Sequence, residues 1–296
     1  MKKLLTLTLV LLTFCLFPSC AKQGNNTDIL TTTAPLYEFA TLLCNNTNLN
    51  VDCLITESVS CLHDYTLQTR QLRALEEAQI VIISGCGLEE SFADFLDKAK
   101  DTLDASNGVS LICSNHTHTH DDYDHDHDHE DAYDPHIWLS IENAQIMANN
   151  IYIMLCERYP AYLETFQTNY TDLTVKFNEL KSHAEKELTE LKSKKLITFH
   201  DGFSYMADSF GLEILHAIEE ESGREASAAE LIHLCEIVTE HQIPCIFTES
   251  NGSTSAAQII SDETGVPIYQ LDMAMSKQGY FSAMYHNIAT LKEALG

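Results

Sequence analysis

The chain has 296 residues, 45% of them hydrophobic, with 44 Asp and Glu against 17 Lys and Arg and a formal net charge of −27. That length allows two ordinary domains with a sizeable core, and the apolar content argues against global disorder. The acidic balance argues against a nucleic-acid partner and against adhesion to anionic lipid, and it draws cations toward the surface.

In chain order, Lys2 and Lys3 precede an apolar run from Leu4 to Phe17, and Ser19 precedes Cys20. The run is short for a membrane span and fits a signal-peptide core. Residues 1–20 resemble a bacterial lipoprotein signal, which implies lipidation of Cys20 and an extracytoplasmic protein. Phe17 and Pro18 depart from the usual pattern, and an ordinary secretory signal is the alternative. Residues 21–27 read as a polar tether. From residue 28 to 157, apolar runs alternate with amphipathic helices. Strands are expected at 28–33, 49–55, 80–84 and 108–113, and helices at 35–43, 68–78 and 89–100. This is the pattern of an α/β lobe with a mostly parallel sheet. The segment 116–129, HTHTHDDYDHDHDH, interrupts it and cannot build a core. The stretch from Pro160 to about Leu191 contains no later Pro and no Gly, so a long linking helix is expected within 158–192. The alternation then restarts over 193–296, with strands at 195–199, 213–217, 243–248 and 266–271. Helices are expected at 203–210, 227–241, 253–264 and 280–294. The fold class is therefore α/β, with two similar lobes joined by one long spine helix.

There are ten Cys and fourteen His. The eight Cys beyond Cys20 are an even number, which permits disulfides without specifying any, and no C-x-x-C pair is present. The His are more informative, because zinc prefers neutral imidazole, thiolate and carboxylate ligands in tetrahedral geometry. His63 follows the second strand, His136 follows the His-rich segment, and His200 ends the first strand of the second half. Ligands of open α/β sheets bind outside the carboxyl ends of strands, so residues at such ends can converge in a cleft between lobes. Asp64, Asp134 and Asp201 adjoin these His, and a carboxylate commonly fixes the tautomer of a ligating imidazole. A cap or a hydrogen-bonded structural His is the competing reading of each. His183, His233, His241 and His286 fall on helices or beside them and read as structural; His216 is expected at a strand end.

The motifs HDYTLQTRQLRALEEAQIVIISG, DPHIWLS, ITFHDGFSYMADSFGL and FTES followed by LD stand in order along the chain. From about Asp28 to Gly296 the chain resembles the zinc- and manganese-binding proteins of ABC importers, the ZnuA-like and TroA-like solute-binding proteins. The resemblance implies two α/β lobes on a rigid helix, with a metal in the interlobe cleft held by His63, His136 and His200. It places Asp272 in the fourth-ligand position, with water as the alternative and Glu249 as a weaker candidate. It implies a protein that captures and delivers its cargo, is not an enzyme, acts as a monomer, and hands metal to a membrane permease with its ATPase. Three imidazoles with at most one carboxylate favour Zn(II) over Mn(II). The six His of the low-complexity segment, His116, His118, His120, His125, His127 and His129, favour zinc too and suggest a secondary, metal-gathering loop. A manganese-binding member of the same family is the main alternative. A zinc-dependent hydrolase is another, since His118, His120 and Asp122 match an HxHxD pattern, although within a repeat where chance matches are common.

Overall fold

In a computed structural model of the protein, the structure describes residues 27–57, 62, 65–113, 133–219, 226–250, 254–276 and 278–296. The segment expected to be a signal, with Cys20, as well as His63 with Asp64 and the His/Asp-rich segment, lies outside these residues.

The first sheet is built from β1 (Ile29–Thr31), β2 (Val51–Cys53), β3 (Ile80–Ile83) and β4 (Thr102–Asp104), all parallel and in the order β2-β1-β3-β4. The second is built from β5 (Lys195–His200), β6 (Glu213–Glu219), β7 (Ile246–Glu249) and β8 (Ile268–Leu271), again parallel, in the order β6-β5-β7-β8. The central strands are apolar because both faces are covered: all three residues of β1 are buried, and so are all four of β7. The edge strands carry exposed polar residues, such as Asp52 and Gln270. In each sheet the chain leaves the first strand to one side and returns on the other. The switch point therefore falls between β1 and β3 in one sheet and between β5 and β7 in the other.

Helices α1 (Ala34–Leu43), α2 (Thr69–Glu77) and α3 (Ala93–Leu96) belong to the first lobe. Two more follow, α4 (Ile141–Arg158), whose Ser140 cap accepts from the Asn143 amide, and α5 (Leu163–Glu187). The 25 residues of α5 make a rod about 37 Å long. The second lobe adds α6 (Ser204–Phe210), α7 (Ala228–Glu240), α8 (Ser255–Thr264) and α9 (Tyr280–Leu295). One apolar core runs through both lobes, from Ile29 and Leu36 to Met284 and Leu291; a smaller cluster lies under α7 and α8. An aromatic group sits where α1, α5 and α9 meet. Phe39 lies 5.5 Å from Phe177 and 5.0 Å from Tyr280, centroid to centroid. The Glu38 carboxylate of α1 accepts the backbone N–H of Tyr280 at the start of α9.

Three expectations fail. Residues 108–113 form no strand; the fourth strand is Thr102–Asp104. The backbone N–H and C=O of Ser110, which a strand would pair, are taken by the Asn143 side chain instead. Residues 89–100 do not form one helix, because Phe92, buried with φ −135°, separates a 3-10 turn from α3. His216 sits inside β6 rather than at its end.

Glu89 ties together the switch point of the first sheet. Its carboxylate accepts from Thr32 Oγ1 at 2.6 Å, from the Ser84 amide at 2.8 Å and from the Gly85 amide at 3.1 Å. Burial overrides these bonds and pushes its pKa up from the ordinary 4.5 to about 7. Between those values the folded chain holds a proton that the unfolded chain has lost. Stability is thus expected to fall as pH rises through this window, by on the order of 3 kcal/mol, and to level off above it. Urea unfolding at pH 5 and pH 8 checks this. The Glu89→Gln variant should lack that part of the pH dependence; an unchanged slope would refute it.

Candidate metal centre

β5 ends on His200 and its neighbour β7 ends on Glu249, so the two side chains emerge side by side at the switch point of the second sheet. Both are buried, at 8% and 4% exposure. His200 Nδ1 lies 3.8 Å from Glu249 Oε1. Neither carboxylate oxygen of Glu249 has a hydrogen-bond partner among the described residues.

The first lobe contributes His136, just ahead of the 3-10 turn Ile137–Leu139. Its orientation is fixed from behind. Asp134 Oδ1 accepts the His136 backbone N–H at 2.9 Å and lies 2.8 Å from Nδ1. A carboxylate on Nδ1 holds the proton there and leaves Nε2 as the lone-pair nitrogen. That nitrogen points across the lobes: His136 Nε2 and His200 Nε2 are 3.4 Å apart, with the rings perpendicular. Two imidazole nitrogens on one tetrahedral zinc, at bond lengths of about 2.0–2.1 Å, are about 3.3–3.4 Å apart. The pair is thus set at the spacing that zinc requires.

Close approach of the rings depends on Gly202. A Cβ there would come within 2.7 Å of His200 Cδ2, 2.7 Å of Met273 Cε and 3.1 Å of His136 Nδ1. The lobes are also pinned beside the rings, where Trp138 Nε1 donates to the Met273 carbonyl at 2.7 Å. Tyr205 donates its hydroxyl to the Asp134 carbonyl at 2.8 Å, and burial pushes its pKa up to about 12, so it remains a donor at neutral pH.

Asp272 is the first residue after β8. Asn287 holds its backbone at both ends, and its Oδ1 accepts the Ala274 amide at 2.7 Å. One carboxylate oxygen is therefore used to shape the turn that carries Met273. Of the remaining His, His183 packs edge-on against Tyr285 and His233 lies 3.8 Å from Glu236. All seven described Cys are free thiols. Burial pushes Cys44 and Cys245 up to about 12 and Cys53 up to about 11, so these remain neutral apolar residues.

The structure thus brings together His136, His200 and Glu249 among the sequence-derived candidates, and Asp134 behind them. His63, the His/Asp-rich segment and the HxHxD match lie outside the described residues, among which no cluster of three or more His, Cys, Asp or Glu has metal-ligand geometry. Gly202 and Tyr205 were absent from the sequence-derived set; both lie within the His200 motif, and nothing in their spacing sets them apart.

Residues 29–294 match the family profile described as ZnuA, zinc-uptake complex component A, periplasmic. The chain belongs to this family. Similar ZnuA-family proteins include the zinc-binding lipoprotein AdcA of Streptococcus pneumoniae (strain ATCC BAA-255 / R6), 29% identical over 99% of this chain. The chain spans 61% of that relative's length. The high-affinity zinc uptake system protein ZnuA of Bacillus subtilis (strain 168) is 28% identical, over 94% of this chain and 90% of its own. A crystal structure of ZnuA superposes with a TM-score of 0.80 at 24% identity, covering 91% of this chain and 99% of the other. The Zn(II)-bound ZnuA-like domain of S. pneumoniae AdcA superposes with a TM-score of 0.74 at 28% identity, covering 90% and 98%. These likenesses agree with the two parallel sheets and the long helix described above.

Proposed function

We propose that this ZnuA-family chain captures Zn(II) outside the cytoplasm and delivers it to an ABC importer, a membrane permease with its ATPase. The observation that carries this reading is the 3.4 Å separation of the two Nε2 atoms from opposite lobes, each imidazole backed by a buried carboxylate. In the proposed site His63, His136 and His200 are ligands, and Asp272 supplies the fourth. Asp134 stands behind the His136 ring and fixes its tautomer, and Glu249, 3.8 Å from His200 Nδ1, favours a proton on that nitrogen. The names of the relatives, zinc-binding lipoprotein and zinc uptake protein, support zinc as the cargo. A lipid on Cys20 would hold the protein at the membrane's outer face, and His116 to His129 would gather metal near the cleft. The chain's work is binding and release, with no chemical step.

Equilibrium titration of the metal-free protein against a competing chelator tests this. The expected result is one tight zinc equivalent that an equal concentration of Mn(II) does not displace. No tight equivalent, or displacement by Mn(II), would overturn the assignment.

A further inference from the structure

We propose that the hydroxyl of Tyr205 is a positioning group that sets His136 against His200 across the lobes. The inference rests on the reading of His136 as a zinc ligand.

Tyr205 stands on α6, five residues beyond His200, and its ring is 2% exposed. Its hydroxyl reaches out of the second lobe into the first. There it donates to the Asp134 carbonyl at 2.8 Å and accepts the Ile112 N–H at 3.1 Å. These two residues belong to separate stretches of chain that meet at this point. The Asp134 amide donates to the Ile112 carbonyl at 3.0 Å, and Cys113 bridges Tyr133 next to them. One phenol therefore satisfies a donor on one stretch and an acceptor on the other.

Asp134 is the common member of two sets of contacts. Its main-chain oxygen is held by Tyr205, while its Oδ1 holds both the amide and Nδ1 of His136. The relay runs from α6 through Asp134 to the His136 ring. The same short segment carries His200 at one end and Tyr205 at the other, with Gly202 pressed against both imidazoles between them. The hydroxyl thus fixes the first lobe's ring relative to the strand end that carries the second lobe's ring. Without it, the Asp134 carbonyl and the Ile112 N–H lose a buried partner, and the segment bearing His136 loses its tie to the second lobe. The Nε2 separation is then no longer imposed from both sides.

The test compares zinc dissociation constants, from chelator competition, for the full chain, Tyr205→Phe, His136→Ala and the double variant. Phenylalanine keeps the ring and removes only the hydroxyl. The expected result is a loss of about tenfold for Tyr205→Phe in the wild-type background, the size typical of support to a metal ligand. In the His136→Ala background the same change should have no effect, because its action passes through that ring. A merely structural role would give equal losses in both backgrounds, and that outcome, or no loss in the wild type, would overturn the proposal. If His136→Ala itself binds zinc like the wild type, the reading of His136 as a ligand falls instead. If Tyr205→Phe is not folded at the assay temperature, Asp134→Asn cuts the relay at its next member and must show the same background dependence. Equal losses there would also overturn the proposal.

Discussion

Alanine in place of either His136 or His200 is expected to weaken zinc binding by at least about a hundredfold. Structural zinc sites hold the ion with about 10–16 kcal/mol in total, so each of four ligands carries about 3 kcal/mol, and about 1.4 kcal/mol is a decade of affinity. The metal-free protein should suffer as well, for a reason that differs between the two sites. His136→Ala deprives Asp134 Oδ1 of its ring partner but leaves it the residue 136 backbone N–H. His200→Ala leaves the Glu249 carboxylate, only 4% exposed and without a hydrogen bond among the described residues, with its nearest polar neighbour, the His200 ring, removed. The second variant should therefore melt lower than the first when metal is absent. Chelator competition gives the affinities, and thermal unfolding in excess chelator gives the order of stability. Wild-type zinc affinity in either variant would remove that histidine from the site.

Glu249→Gln should move two quantities in opposite directions. A buried carboxylate with neither oxygen hydrogen-bonded is a cost to the folded chain. A neutral amide of nearly the same shape reduces that cost, so the metal-free variant should be more stable than the wild type. Zinc affinity should fall, by about 10–100-fold. At 3.8 Å from His200 Nδ1 the carboxylate is only an acceptor, so its charge favours the tautomer with the proton on Nδ1 and Nε2 free for metal. An amide can donate to Nδ1 instead and so favour the tautomer with its proton on Nε2. Melting in chelator and in excess zinc measures both effects, since the zinc-induced rise reports affinity through mass action. A variant less stable without metal and unchanged in its zinc-induced rise would make Glu249 an ordinary packing residue.

Most of the architecture is legible in the sequence, because buried parallel strands such as IVII at 80–83 and LITF at 196–199 stand out as apolar runs. The failures are at places where a local signal competes with a distant partner. The apolar VSLIC at 109–113 looks like a strand, but the Asn143 amide, 33 residues away from Ser110, occupies the groups it would pair. The true edge strand, TLD at 102–104, is short and two of its three residues are polar, so it carries little signal. The site shows the same division. His136 and His200 could be singled out, each by its place after or at a strand end or by its motif. That their Nε2 atoms face one another depends on folding across 64 residues. The link between Glu249 and His200 follows from the adjacency of β5 and β7, which the order of strands in the chain does not disclose. Gly202 reads as a turn glycine until its neighbours are seen to be the two rings.

The uninterrupted core bears on how the two halves could have separate histories. Their sheets share one strand order, so either looks like a module that could be lifted out and reused. The chain's last helix denies this. Tyr280 and Phe281, from the end of the sequence, close over Phe39 and Phe177 from the beginning and the middle. A fragment ending after the long helix would leave those rings facing water. The likeness between the halves is one of topology and not of autonomy, and exchange of one half between relatives would have to carry the final helix with it.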